Sequence, residues 1–265
     1  MVISFSYINL SLCNYLIVVN KLQHRFIKLL IHRKGMPKLL IFDLDDTLYD
    51  ASSTVTKQGI ILAVKAMANA GIPVPWQDIL KQREVIAKKL GPHFQKVNDE
   101  LCAHYGIRDK QRVTAIDQAA EAAYNSVDVR GIKLFPGVRA MLARLKKRYP
   151  LLLMSTGFEE LQQKKVDALG IRDVFEHICI VDGKTMTKSS CLRQALEMYH
   201  CAPSQVCVIG DRIDSEIRYG NELGMVTVQL VHGKYSVLTP KDTLEKPTYS
   251  IRKITDIEKL AKEIE

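Results

Sequence analysis

Four short stretches of this chain carry side chains that could act on one another. Asp43, Asp45, Asp46 and Thr47 follow each other in LIFDLDDTL. Ser155, Thr156 and Gly157 close LLLMSTG. Lys184 and Lys188 precede a Ser-Ser pair, and Asp211, Asp214 and Glu216 fall in GDRIDSE. A carboxylate can attack phosphorus and carry it as an acyl phosphate. Carboxylates held close together repel unless a cation neutralises them, and an oxygen-rich acidic site suits Mg2+, which also binds phosphate oxygens. The transferring group spreads negative charge over its oxygens, so a lysine and small hydroxyl or amide donors are needed around it. A second carboxylate must protonate the leaving oxygen and then activate water. Taken singly, an Asp-Asp pair reads as a turn or helix cap, Ser-Thr-Gly as a loop, and a lysine before a helix as a solvated charge. Their joint occurrence in one chain points to phosphoryl transfer.

That chemistry requires the four stretches to meet, and the elements between them explain how they would. Lys38–Leu44 is a short apolar run ending in acids, which reads as a buried parallel strand. Strands are also expected at 151–155, 177–181, 206–210 and 225–230, alternating with helices at 159–169, 189–200 and 214–223. Phe135, Pro136 and Gly137 open a further helix, whose Val138, Met141, Leu142 and Leu145 share one apolar face. Alternation of this kind predicts an α/β fold, a doubly wound, Rossmann-like parallel sheet with helices on both faces. Ligands of such sheets bind beyond the carboxyl ends of the strands. The acids, the hydroxyl, the lysine and the second acids each follow a predicted strand. The intervening Ala-rich stretch predicts helices at about 54–70, 76–90, 94–105 and 110–127, punctuated by Gly71, Pro73, Gly91, Pro92 and Gly106. The expected organisation is a core of residues 36–53 and 134–265 with an all-helical insert over 54–133.

The 265 residues are 47% hydrophobic and 25% charged, ordinary for a soluble globular protein and ample for a core. The formal net charge of +9 is concentrated at the amino end, where Lys21, Arg25, Lys28, Arg33 and Lys34 meet no acid in the first 35 residues. The remainder is mildly basic, which suits an anionic substrate. No aromatic-basic motif supports a nucleic-acid binder. Residues 1–20 are apolar and uncharged, but Ser4, Ser6, Asn9, Ser11, Asn14 and Asn20 interrupt them, which argues against a membrane anchor. Charge follows the apolar part and does not precede it, which argues against a signal peptide. Residues 1–35 therefore read as an extension ahead of a fold that begins at Met36. The six cysteines form no CxxC pair, and reduced thiols in a cytoplasmic protein are the expectation.

The motifs resemble the four signatures of the haloacid dehalogenase superfamily. DLDDTL at 43–48 is similar to its DxDxT motif, Ser155 to its second-strand hydroxyl, the lysine ahead of a helix to its third motif, and GDRIDSE at 210–216 to its acidic fourth. The LFPG run at 134–137 resembles its re-entry from cap to core. The resemblance implies a Mg2+-dependent phosphatase acting on a small phosphorylated metabolite, a nucleotide or a sugar phosphate. Asp43 would be the nucleophile and a metal ligand. Asp45 would be the general acid/base and bind the metal through its backbone carbonyl. Ser155, with Thr156 beside it, and Lys188 would bind the phosphoryl group. Asp211 would complete the metal set, with Glu216 as its second acid. The insert would be a helical C1 cap. Lys184 is the alternative to Lys188, and Asp214 to Glu216. Arg212 departs from the family pattern, which has a small residue there. Dehalogenases of the superfamily lack an acid two positions after the nucleophile, whereas an alkoxide leaving group needs one. Asp45 thus favours ester hydrolysis. A phosphomutase of the same superfamily and a non-catalytic phospho-signalling module are the rival readings.

Overall fold

A computed structural model describes residues 38–90, 94–182 and 186–264. The expected extension over residues 1–35 and the alternative Lys184 lie outside the described residues.

Six short, mostly buried strands form one parallel sheet. They are β1 (Leu39–Asp43), β2 (Leu151–Thr156), β3 (His177–Val181), β4 (Val206–Gly210), β5 (Val226–Leu230) and β6 (Tyr249–Ile251), in the spatial order β3-β2-β1-β4-β5-β6. The strands read as nearly unbroken apolar runs because both faces of the sheet are covered. Alternate residues serve opposite faces. Leu40, Phe42, Leu151, Leu153, Cys207 and Ile209 join one core cluster with α5 (Val138–Leu145), α6 (Glu159–Leu169) and α9 (Ile257–Ile264). Leu39, Ile41, Leu152, Met154, Val206 and Val208 join the other with α7 (Lys188–Met198), beside α8 (Arg218–Glu222). The fold class is the expected doubly wound α/β sheet. The first strand lies in its middle, with β2 on one side and β4 on the other. Chain order reverses there, which opens a crevice at the carboxyl ends.

Between β1 and β2 run four helices, α1 (Lys57–Asn69), α2 (Trp76–Leu90), α3 (Phe94–His104) and α4 (Lys110–Asn125). They enclose a hydrophobic cluster of their own, including Val64, Met67, Ile79, Ile86, Leu101 and Ile116, separate from both sheet clusters. Asp109 caps α4 by accepting from the Arg112 amide at 2.9 Å. The expected all-helical insert is thus present as a packed bundle.

Two details depart from the sequence expectation. α7 begins at Lys188 itself, capped by Thr187, whose side chain and that of Ser190 bond reciprocally to the helix start. The helix thus starts one residue before the expected 189. Residues 213–217 form a π-type turn ahead of a shorter α8. Cys179 of β3 and Cys191 of α7 sit side by side, with Cα atoms 6.5 Å apart, while Cys102, Cys201 and Cys207 are free among the described residues. α7 packs directly on β3, and that proximity is a product of the tertiary fold that chain spacing does not show.

Candidate active site

The register of β1 aligns Asp43 with Met154, so Ser155 stands one residue further along the neighbouring strand. On the other side Phe42 aligns with Ile209, so Asp211 falls just past the end of β4. Strand pairing alone therefore sets the Asp43, Ser155 and Asp211 positions around one crevice. Past β1 the chain doubles back. Asp46 adopts a left-handed conformation with φ 60°, and its carboxylate accepts the Ser52 amide at 2.7 Å and the Ser52 hydroxyl. Thr47 is returned towards the strand end, where its hydroxyl donates to Asp43 Oδ2 at 3.0 Å.

At the centre, Lys188 Nζ donates to Asp43 Oδ1 at 2.5 Å and also to Glu216 Oε1. The first turn of α7 delivers the lysine and the π-type turn delivers Glu216. Glu216 Oε2 also accepts the Arg212 amide at 3.1 Å. Its side chain crosses the end of β4 so closely that a Cβ at Gly210 would lie 2.5 Å from Glu216 Cγ. Glycine is required there to admit it.

Asp43, Asp211, Glu216 and Lys188 are all buried. Three acids against one ammonium leave an excess of negative charge. Burial pushes the Asp43 carboxyl up to about 7, helped by Glu216 and opposed by Lys188. Burial, with the Glu216 and Asp43 charges, pushes Asp211 up to about 9. Burial also disfavours the Glu216 carboxylate, but the Lys188 ammonium outweighs it and holds Glu216 below its usual range. For Lys188, burial alone would depress the ammonium. Asp43 and Glu216 instead hold it above its usual range.

Two buried oxygens here have no hydrogen-bond partner, the Ser155 hydroxyl and Asp211 Oδ2. Orphaned buried polar atoms carry a desolvation cost unless something completes them. A divalent cation near Asp43 and Asp211 would satisfy the second and cancel the charge excess. Mg2+ commonly takes one or two carboxylates and fills its remaining positions from water and phosphate. Among the described residues, no three His, Cys, Asp or Glu side chains form a ready metal-ligating group. The donor set therefore fits a cation held by Asp43, Asp211 and backbone oxygen, with Glu216 engaged by Lys188 and the Arg212 amide.

Asp45 faces a different neighbourhood. Its Oδ1 accepts the Tyr49 hydroxyl at 2.6 Å, its Oδ2 accepts Gln162 Nε2 at 3.1 Å, and Lys165 Nζ reaches both oxygens at 3.1 and 2.8 Å. Burial acts to raise the Asp45 carboxyl, but the Lys165 ammonium and these hydrogen bonds hold it below its usual range. Gln162 and Lys165 are residues sequence reasoning did not single out. Lys165, on α6, is 2% exposed. The available signal was its place in the apolar stripe of that helix, with Leu161, Val166 and Leu169.

Thr156 is exposed at the rim, and its carbonyl accepts Gln162 Nε2 at 2.7 Å. Asp214 is engaged by Arg212, which forks onto it with two bonds of 3.0 Å and lies over the Tyr235 ring at 5.0 Å. That arrangement accommodates the unusual arginine after Asp211. Asp43, Ser155, Lys188, Asp211 and Glu216 are brought to the crevice, and Asp45 stands at its entrance beside Lys165.

The chain belongs to the haloacid dehalogenase-like hydrolases, whose family model matches residues 37–224. It is 27% identical over 230 residues to the glyceraldehyde 3-phosphate phosphatase of Methanopyrus kandleri, covering 84% of this chain and 97% of that protein. It is 22% identical over 248 residues to the N-acylneuraminate-9-phosphatase of Rattus norvegicus, covering 86% and 95%. Its fold is similar to that of a hydrolase of the same superfamily from Bacillus subtilis, YfnB, solved with magnesium. The TM-score is 0.63 at 18% identity, over 86% of this chain and 99% of the other. No described helix is long and apolar enough to cross a membrane.

Proposed function

We propose that this hydrolase is a Mg2+-dependent phosphomonoesterase acting on a small sugar phosphate through an aspartyl phosphate at Asp43. The observation that carries the reading is the pair of orphaned oxygens, Ser155 Oγ and Asp211 Oδ2, beside the buried Asp43–Lys188 contact. A phosphoryl group accepts from the first, and a cation satisfies the second. The names of the curated relatives, both phosphatases of phosphorylated small metabolites, agree with this class. The magnesium in the Bacillus subtilis neighbour agrees with the choice of ion.

In this reading Asp43 forms the bond to phosphorus as the ester oxygen departs, and Asp45 gives that oxygen a proton. Water then attacks phosphorus and gives its proton to Asp45, which restores Asp43. Lys188 and Ser155 donate to the phosphoryl oxygens as charge builds on them. Thr47 orients the nucleophile through its bond to Oδ2. Mg2+ when bound supplies positive charge against the carboxylates and the phosphoryl oxygens. Lys165 keeps Asp45 ionised in the resting site, the form needed for the second step. The first step needs a proton on it, which Asp45 takes up from solvent as the ester enters and that contact loosens. The four-helix insert covers the crevice as a cap that excludes water and sets the leaving group.

The test is phosphate release from a panel of phosphorylated metabolites that includes glyceraldehyde 3-phosphate. Turnover is expected with Mg2+, absent in excess chelator, and lost in Asp43→Asn. Full turnover by that variant would reject the nucleophile. Isomerised phosphate ester in place of free phosphate would make the chain a mutase.

A further inference from the structure

The bundle above the crevice contains a buried cation that, among the described residues, has no buried acid paired with it. Arg83 lies on the inner face of α2, in the apolar stripe with Ile79 and Ile86, and is 8% exposed. Its Nε is buried without a hydrogen-bond partner. Burial bears on the guanidinium strongly enough to pull it below its usual range, and the neighbouring Glu84 that opposes this is exposed. A core arginine that served packing alone would be costly, since a methionine fills similar volume with no charge to desolvate.

One of its electrostatic neighbours, Tyr124, leads towards the reacting groups. The Tyr124 hydroxyl, on α4, interacts electrostatically with Arg83, with Lys165 and with Asp45, and bonds to the Thr56 side chain. The Tyr124 ring packs on Phe94 at 5.1 Å and on Phe158 at 6.1 Å. Phe158 follows directly on the Ser155-Thr156-Gly157 turn and precedes the helix that carries Gln162 and Lys165. The ring sits against α1 so closely that a Cβ at Gly59 would lie 2.8 Å from it. Arg83, Tyr124 and the Phe94–Phe158 pair therefore continue the site from Asp45 up into the bundle, on the side where an ester's leaving group would lie.

We infer that Arg83 is a specificity residue that binds a carboxylate on the leaving group, so that the preferred substrates are phosphorylated sugar acids. This rests on the phosphatase reading and narrows it. The free edge of a guanidinium, Nε with one Nη, matches the two oxygens of a carboxylate. An unpaired cation in low dielectric also discriminates strongly for an anion over a neutral group of the same size. Tyr124 adds a hydroxyl to the same end, and the aromatic pair excludes water from it.

The test measures binding, so that it does not depend on turnover. Full-length Asp43→Asn protein in Mg2+ is titrated calorimetrically with 3-phosphoglycerate and with glycerol 3-phosphate, which differ by a carboxylate against a hydroxymethyl. The carboxylate ligand is expected to bind at least about tenfold tighter, the effect of a charge-assisted bond. Adding Arg83→Met should erase that ratio while the melting temperature holds or rises. Arg83→Lys, which keeps the charge and loses the fork, should retain part of it. Equal affinities in the Arg83 protein, no binding of either ligand, or a preference that survives Arg83→Met, would each overturn the assignment. Failure of the phosphatase reading would appear separately, as absence of phosphate release by protein with Asp43 intact.

Discussion

Lys165 and Asp45 form a two-point ion pair, with Nζ at 2.8 Å from one carboxylate oxygen and 3.1 Å from the other. Tyr49 and Gln162 bond to the same carboxylate. The acid/base of the proposed reaction is therefore held by three side chains from two elements. Lys165→Met should slow turnover by about tenfold to hundredfold, the lower range for losing control of an acid/base group. The slowed step should be release of phosphate from Asp43, which needs Asp45 oriented as a base. With p-nitrophenyl phosphate, whose leaving group departs without a proton, the variant should give a burst of nitrophenol and then a slow steady state. Lys165→Arg should recover part of the steady rate. A Lys165→Met protein with an unchanged steady rate and no burst would remove Lys165 from the mechanism.

Ser155 separates function from stability. Its hydroxyl is buried without a hydrogen-bond partner among the described residues, so Ser155→Ala removes no native hydrogen bond. The variant should match or exceed the parent in stability, by up to about 1 kcal/mol in chemical denaturation. Its kcat/KM should nevertheless fall by about tenfold to hundredfold, the worth of a hydrogen bond to a charged group. A destabilised protein with full activity would reverse both halves of the assignment.

Proton release should report the ion. Burial, with the neighbouring Glu216 charge, pushes the Asp43 carboxyl up to about 7 and Asp211 up to about 9, both above the ordinary aspartate value of 3.8. Without metal the folded state holds protons that the unfolded chain has already lost. Metal-free stability must then fall as pH rises from about 4 through these values. Mg2+ takes the place of the protons, so its stabilising effect should be larger at pH 8.5 than at pH 5.5, read as the shift in melting temperature. Calorimetry in buffers of different ionisation enthalpy should show proton release on Mg2+ binding that is larger near pH 6 than near pH 8. Binding without proton release at pH 6 would contradict the paired-carboxylate site.

Much of this geometry was legible in the sequence because parallel strands write themselves as apolar runs. The five strands expected from KLLIFDL, LLLMS, HICIV, VCVIG and MVTVQL are present within a residue, as are α2, α3 and α6. Each expected site residue follows one of those runs, and register does the rest. β6 was not legible, since a three-residue strand gives too little pattern to read. Lys165 and Arg83 escaped for a related reason. Each is a cation inside an apolar helical stripe, and periodicity identifies the stripe more readily than the exception within it. Spacing favours Glu216 as the second acid, with Asp214 as the alternative. The fold separates them, since Lys188 engages the first and Arg212 the second.

The most direct measurement is chemical trapping of the nucleophile. A reaction with glyceraldehyde 3-phosphate and Mg2+ is quenched during turnover, reduced with borohydride, digested and read by mass spectrometry. One carboxyl, that of Asp43, should be reduced in the peptide carrying LIFDLDDTL, and none without substrate or in Asp43→Asn. Steady phosphate release with Asp43 never trapped, or trapping at another carboxylate, would contradict it.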